Sequence, residues 1–122
     1  MPKRVLVVED EANIVESLSF LLRQAGFEVS VASDGPVALR MVADAVPDVV
    51  LLDLMLPTMT GYEVLAKLRE GAATADVPVI VLTAKGQDEV RDASMAHGAD
   101  LFITKPYGNE EIVQAVRSLC GG

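Results

Sequence analysis

A chain of 122 residues has room for one compact domain with a real hydrophobic core, and none for a second folded unit. Apolar residues make up 51% of it, yet 23% are charged, and no uninterrupted apolar run approaches the ~20 residues of a membrane-spanning helix. With 10 Lys and Arg against 18 Asp and Glu the net charge is −8, which repels nucleic-acid phosphates and argues against direct DNA binding, whereas gathered carboxylates would favour a divalent cation.

Taken in chain order, Met1-Pro2-Lys3-Arg4 is basic, but the apolar stretch behind it ends at Glu9 and Asp10, too soon for a secretory segment. Cys120, the only cysteine, has no partner for an intrachain disulfide, which suits a reducing compartment; the expected location is the cytoplasm. Short aliphatic runs then alternate with longer amphipathic stretches about five times, the pattern of a parallel α/β sheet. The predicted strands are Arg4–Val8, Glu28–Ala32, Val49–Asp53, Val79–Thr83 and Leu101–Thr104. The first, third and fourth are nearly all apolar, as strands covered on both faces by helices must be.

A first helix carries Ile14, Leu18, Leu21, Leu22 and Ala25 on one stripe and is closed by Gly26. A second begins near Asp34-Gly35-Pro36, where a capping residue precedes a proline in the first turn, and Pro47 stops it. Thr60-Gly61-Tyr62-Glu63 has capping-box spacing and starts a third helix with Val64, Leu65 and Leu68 inside. The fourth, roughly Gln87 to His97, offers only Val90, Ala93 and the surroundings of Met95 for burial, so it is the element most able to move. The last, opened by Asn109, buries Ile112, Val113, Val116 and Leu119. Residues 1–122 read as one domain, with Gly121-Gly122 as its frayed end or the start of a linker.

In a doubly wound parallel sheet, ligands bind beyond the carboxyl ends of the strands. The residues there are Glu9-Asp10, Asp53, Thr83 and Lys105-Pro106: three carboxylates, a hydroxyl and an ammonium at one edge. Singly, each has a plainer reading. Asp53 could cap a turn, Lys105 could be a solvated charge, Thr83 a strand residue, and Glu9-Asp10 could favour the start of the next helix. Jointly they suit transfer of a phosphoryl group to a carboxylate. A hard cation, Mg²⁺, removes the mutual repulsion of Glu9, Asp10 and Asp53 and spreads the charge of the transferring group. Lys105 and Thr83 then serve two further phosphoryl oxygens, and Asp53 is the nucleophile.

The stretches VLVVEDE around Glu9-Asp10, DVVLLDLMLPTMTGYEV around Asp53, PVIVLTA ending at Thr83-Ala84, and GADLFITKPY around Lys105 resemble the response-regulator receiver family, over essentially the whole chain. The resemblance implies a flavodoxin-like five-stranded sheet in the order 2-1-3-4-5 with five helices. It implies that Asp53 takes its phosphoryl group from a sensor histidine kinase or a histidine phosphotransfer protein. Asp10, Asp53 and the carbonyl of Met55 would hold Mg²⁺ directly, with Glu9 acting mainly through water. Lys105-Pro106 would be cis, and Phe102 would be the switch ring that turns inward when Thr83 is drawn to the phosphoryl group, with small Ala84 leaving it room. Phe102 lacks the hydroxyl of the tyrosine found there in many members. The output face would be the fourth helix, fifth strand and last helix; the downstream effector stays unnamed and phosphorylation-dependent dimerisation stays open. Met55 and Lys85 flank the site without a carboxamide or carboxylate to position water, which implies a long-lived phosphoryl group.

His97, the only histidine, precedes Gly98 at a helix end and reads as a surface residue, and the methionines read as gap fillers. An aspartyl-phosphate phosphatase of the haloacid dehalogenase class would place an acid/base Asp two residues after the nucleophile, where this chain has Met55, so small-molecule turnover is not expected. A flavodoxin-like cofactor module would need a phosphate cradle after the first strand, where Glu9-Asp10-Glu11 repels phosphate.

Overall fold

The computed structural model describes residues 2–54, 59–84, 96 and 98–120. Five parallel strands, β1 (Arg4–Val8), β2 (Glu28–Ala32), β3 (Val49–Asp53), β4 (Val79–Ala84) and β5 (Leu101–Lys105), form one sheet in the order β2-β1-β3-β4-β5. The last two strands each run one residue further than the sequence pattern suggests, because the ladder continues through Ala84 opposite Lys105. The described helices are α1 (Ala12–Gln24), α2 (Gly35–Asp44), α3 (Gly61–Glu70) and α4 (Asn109–Cys120). The fourth helix expected from the sequence, with His97 and Lys85, lies outside the described residues.

Strand alternation divides the core between two faces of the sheet. On one, Val5, Val7, Val49, Leu51, Ile80, Leu82 and Ile103 meet Leu18 and Leu22 of α1 and Ile112 and Val116 of α4. On the other, Leu6, Val8, Val50, Leu52, Val79 and Val81 meet Ala38 and Val42 of α2 and Val64, Leu65 and Leu68 of α3. Every residue of β3 is buried, as its unbroken aliphatic run requires. In α4 only Ile112 and Val116 are fully buried; Val113 and Leu119, expected inside, are half-buried because they sit on the flanks of the stripe.

Helix ends follow the local chemistry. Asp34 accepts the Val37 N–H at 2.9 Å with Pro36 in the first turn. Thr60 and Glu63 form the reciprocal capping box. Gly26 takes φ +96° just past α1, a conformation that costs glycine little.

One contact not legible in the sequence fastens the far end of the sheet. The Arg69 guanidinium, at the end of α3, donates to the carbonyls of Val77 (2.7 Å) and Gly98 (2.8 Å) and pairs with Asp100 at 3.1 Å. The same Asp100 oxygen accepts the Val79 N–H at 2.8 Å, so one side chain ties α3 to the entries of β4 and β5. Replacing Arg69 with alanine strands several acceptors at once and is expected to lower unfolding free energy by about 1–3 kcal/mol in urea denaturation. Arg69→Lys should recover less than half of that, since an ammonium cannot fork between carbonyls.

Candidate phosphoryl-acceptor site

The sheet's pleat decides which side chains converge at its carboxyl edge. Val8 pairs with Leu52 across the β1–β3 ladder, so Glu9 and Asp53 are the next residues on neighbouring strands. Glu9 stays in line because its N–H donates to the Ala32 carbonyl of β2 at 3.1 Å, extending the pairing beyond β1. Counting by twos from Val5 and Val7, from Val49 and Leu51, and from Leu101 and Ile103 places Glu9, Asp53 and Lys105 on the α1/α4 face. The register alone therefore gathers two carboxylates and an ammonium.

Oxygens of Glu9, Asp10 and Asp53 lie within 4.8 Å of one another, and Lys105 Nζ stands 3.6 Å from Asp53 Oδ2. Asp10 is exposed, but Glu9 is only 1% exposed and Asp53 5%. Glu9 Oε1 accepts the Glu11 N–H at 3.3 Å, while Oε2 is buried with no hydrogen-bond partner among the described residues. Burial pushes Glu9 up to about 8; a hydrogen bond and repulsion from the neighbouring Asp53 carboxylate add to this, against the Glu11 N–H and the Lys105 charge.

This is the environment a hard cation relieves. Packed carboxylates, one oxygen of which has no donor, fit an oxygen-ligated divalent ion better than they fit each other. The expected carbonyl ligand, Met55, lies outside the described residues.

Thr83 is buried at the end of β4, one residue past the Asp53–Leu82 pair and opposite Thr104. The Lys105-Pro106 bond is cis. Phe102 is half-buried, registers with Val81, and packs against the α2/α3 side of the core. Ala84 ends β4, but the room its side chain leaves falls outside the described residues.

Sequence reasoning passed over Tyr107. It packs half-buried against the α1/α4 core, and its phenol is raised by burial and by the Glu9 and Asp53 charges, so it belongs to the wall of the site. Its place two residues after Lys105 was the available signal.

Residues 5–117 match the response regulator receiver domain family. The sensory transduction protein RegX3 of Mycobacterium tuberculosis is 44% identical over 115 residues, covering 94% of this chain and 49% of its own length. The chain thus spans about half the length of that curated relative. A crystal structure described as a response regulator from Chloroflexus aurantiacus superposes with a TM-score of 0.95 at 31% identity, over 100% of both chains. The receiver domain of the sensor histidine kinase PA1611 from Pseudomonas aeruginosa, with a magnesium ion coordinated in its active-site cleft, gives a TM-score of 0.92 at 26% identity, also over 100% of both. The sheet order, the acidic cluster and these likenesses together make the chain a member of the response-regulator receiver family, the phosphorelay modules of two-component signalling.

Proposed function

We propose that Asp53 is the phosphoacceptor and that residues 1–122 act as one receiver unit. The observation that carries this is the placement of Asp53 between an acidic cluster within 4.8 Å and an ammonium at 3.6 Å. An Asp53 carboxylate oxygen attacks phosphorus, the bond from phosphorus to the donor breaks, and the donor leaves with that electron pair. From a phosphohistidine of a sensor kinase or phosphotransfer protein the leaving group is imidazole; from acetyl phosphate it is acetate.

Glu9, Asp10 and Asp53, with the Met55 carbonyl, would hold Mg²⁺, which supplies charge neutralisation for the phosphoryl oxygens and the crowded carboxylates. Support comes from the magnesium in the PA1611 receiver and from the orphaned Glu9 oxygen. Lys105 balances charge on a phosphoryl oxygen, and the Thr83 hydroxyl donates to another. Repeated turnover of small phosphoesters is not part of this role, since Met55 stands where a general acid would be needed.

The test is intact-mass analysis after incubation with acetyl phosphate. One phosphoryl group is expected with Mg²⁺ and none with excess chelator. Lys105→Met should slow uptake on the order of a hundredfold while leaving the protein folded, because the lost ammonium faces charge that develops in transfer. Uptake unaffected by the substitution would remove Lys105 from the role.

The conformational readout is proposed to involve the segment from Lys85 to Tyr107, with Thr83 just before it as the residue drawn to the phosphoryl group and Phe102 within it as the ring that turns inward. Amide exchange should differ there with and without a beryllofluoride phosphoryl mimic. Identical protection throughout that segment would exclude this switch. A kinase donor and a location in the cytoplasm accord with the family; no helix among the described residues is long and apolar enough to cross a membrane.

A further inference from the structure

We propose that Gly61 is a positioning residue for phosphoryl transfer: by having no side chain it lets the first turn of α3 lie against the backbone of Asp53 and Leu54 and fix the nucleophile where the acidic cluster and Lys105 meet. The inference rests on the phosphoacceptor reading and extends it to a residue that touches neither metal nor phosphate.

Gly61 is the first residue of α3, and its N–H donates to the Leu54 carbonyl at 3.1 Å, closing the loop that leaves β3. A Cβ at this position would lie 2.7 Å from Leu54 Cα, 2.6 Å from Leu54 Cδ2 and 3.1 Å from the Asp53 carbonyl oxygen. Among the described residues the positive-φ glycines are Gly26 and Gly98, so space and not backbone conformation demands glycine at Gly61. Two of the three crowding atoms belong to the backbone of the nucleophile and its neighbour. Leu54 has nowhere to retreat, being 3% exposed and packed in the core that contains Val64 and Leu65 of the same helix. Any side chain at Gly61 therefore moves the end of β3, and Asp53 with it, relative to Lys105 and Glu9. Transfer to a fixed carboxylate is sensitive to such shifts, since small misplacements of reacting groups cost rate far out of proportion to stability.

Gly35 provides the internal contrast. It too opens a helix, α2, and a Cβ there would meet Met59 Sδ at 2.8 Å, Met59 Cβ at 2.9 Å and Val64 Cγ2 at 2.9 Å. All three are side-chain atoms, and none belongs to a strand that carries the site. Crowding at Gly35 strains the packing between α2 and α3 without pushing on Asp53.

The experiment compares wild type, Gly61→Ala and Gly35→Ala. Initial rates of phosphorylation are followed by intact mass over a range of acetyl phosphate concentrations at saturating Mg²⁺, and Tm is followed by circular dichroism. Gly61→Ala should lower the maximal rate about tenfold or more with the half-saturating donor concentration within about twofold of wild type, the pattern of a misaligned nucleophile. Gly35→Ala should lose Tm yet keep its rate within about twofold. A Gly61→Ala protein as fast as wild type, or two variants whose rates fall in proportion to their Tm losses, overturns the proposal. If Gly61→Ala does not fold, Leu54→Ala is compared with Leu65→Ala, which opens a similar cavity in the same core. Slower transfer in Leu54→Ala by about fivefold supports positioning from this wall, and equal rates refute it. If wild type itself takes up no phosphoryl group, the phosphoacceptor reading fails first and this inference with it; normal uptake that ignores Gly61 defeats the inference alone.

Discussion

Asp53→Asn is expected to abolish phosphoryl uptake and, in the same molecule, to raise the Tm of the metal-free protein above about pH 8. The chemical half follows from the loss of a carboxylate nucleophile: an amide oxygen is far weaker, and uptake from acetyl phosphate should fall by at least about a thousandfold. The thermal half comes from weighing two electrostatic effects. Asparagine forfeits the attraction to Lys105 at 3.6 Å, but that ammonium is 29% exposed, and such pairs contribute about 0–1 kcal/mol. Against it, above about pH 8 where Glu9 is ionised, stands the repulsion between Asp53 and Glu9, both almost fully enclosed, where screening by water is weak. The second effect is the larger. Intact-mass and calorimetric measurements on one preparation check both halves; a variant that is inactive and also less stable would show that Lys105 outweighs Glu9.

Stability of the chelated wild-type protein should fall as pH rises across the near-neutral range, the reverse of most carboxylate effects. Glu9 titrates near its ordinary value of 4.5 when unfolded and about 8 when folded, chiefly because it is buried and then because Asp53 adjoins it. Between those values the folded state holds a proton that the unfolded state has lost, so each step up in pH favours unfolding. Below the window both states are protonated and no penalty exists; above it the penalty is complete. Thermal melts in chelator should therefore show a lower Tm just above the window than near its acidic end, and Glu9→Gln should flatten the difference. Added Mg²⁺ should raise Tm most at the alkaline end, where it competes least with protons. A Tm of wild type that climbs steadily with pH in chelator would contradict the crowded-carboxylate account.

The strands were readable because a parallel sheet with helices on both faces leaves its inner strands no polar positions, so Val49–Asp53 stands out as a run that ends at the proposed phosphoacceptor. Caps at Asp34 and Thr60 were readable because they depend on neighbours three residues away. Distant contacts were not. Arg69 looks like a cation at a helix end, and only the fold brings Gly98 and Asp100 beneath it. Nor was the enclosure of Glu9, whose N–H joins the ladder at the Ala32 carbonyl and whose side chain is buried. Gly61 was read as part of a capping sequence, and its press on Leu54 depends on the path of α3 over the end of β3.

Strand β5 carries Lys105 on the face toward α1 and α4 and Phe102 on the face toward α2 and α3. Its alternation puts the proposed charge partner of the phosphoryl group and the proposed switch ring in different compartments, with the sheet as a partition between them. On that proposal, an event at Lys105 would reach Phe102 through the main chain of this one short strand, or through Thr83, which alternation from Val79 and Val81 puts on the Phe102 face.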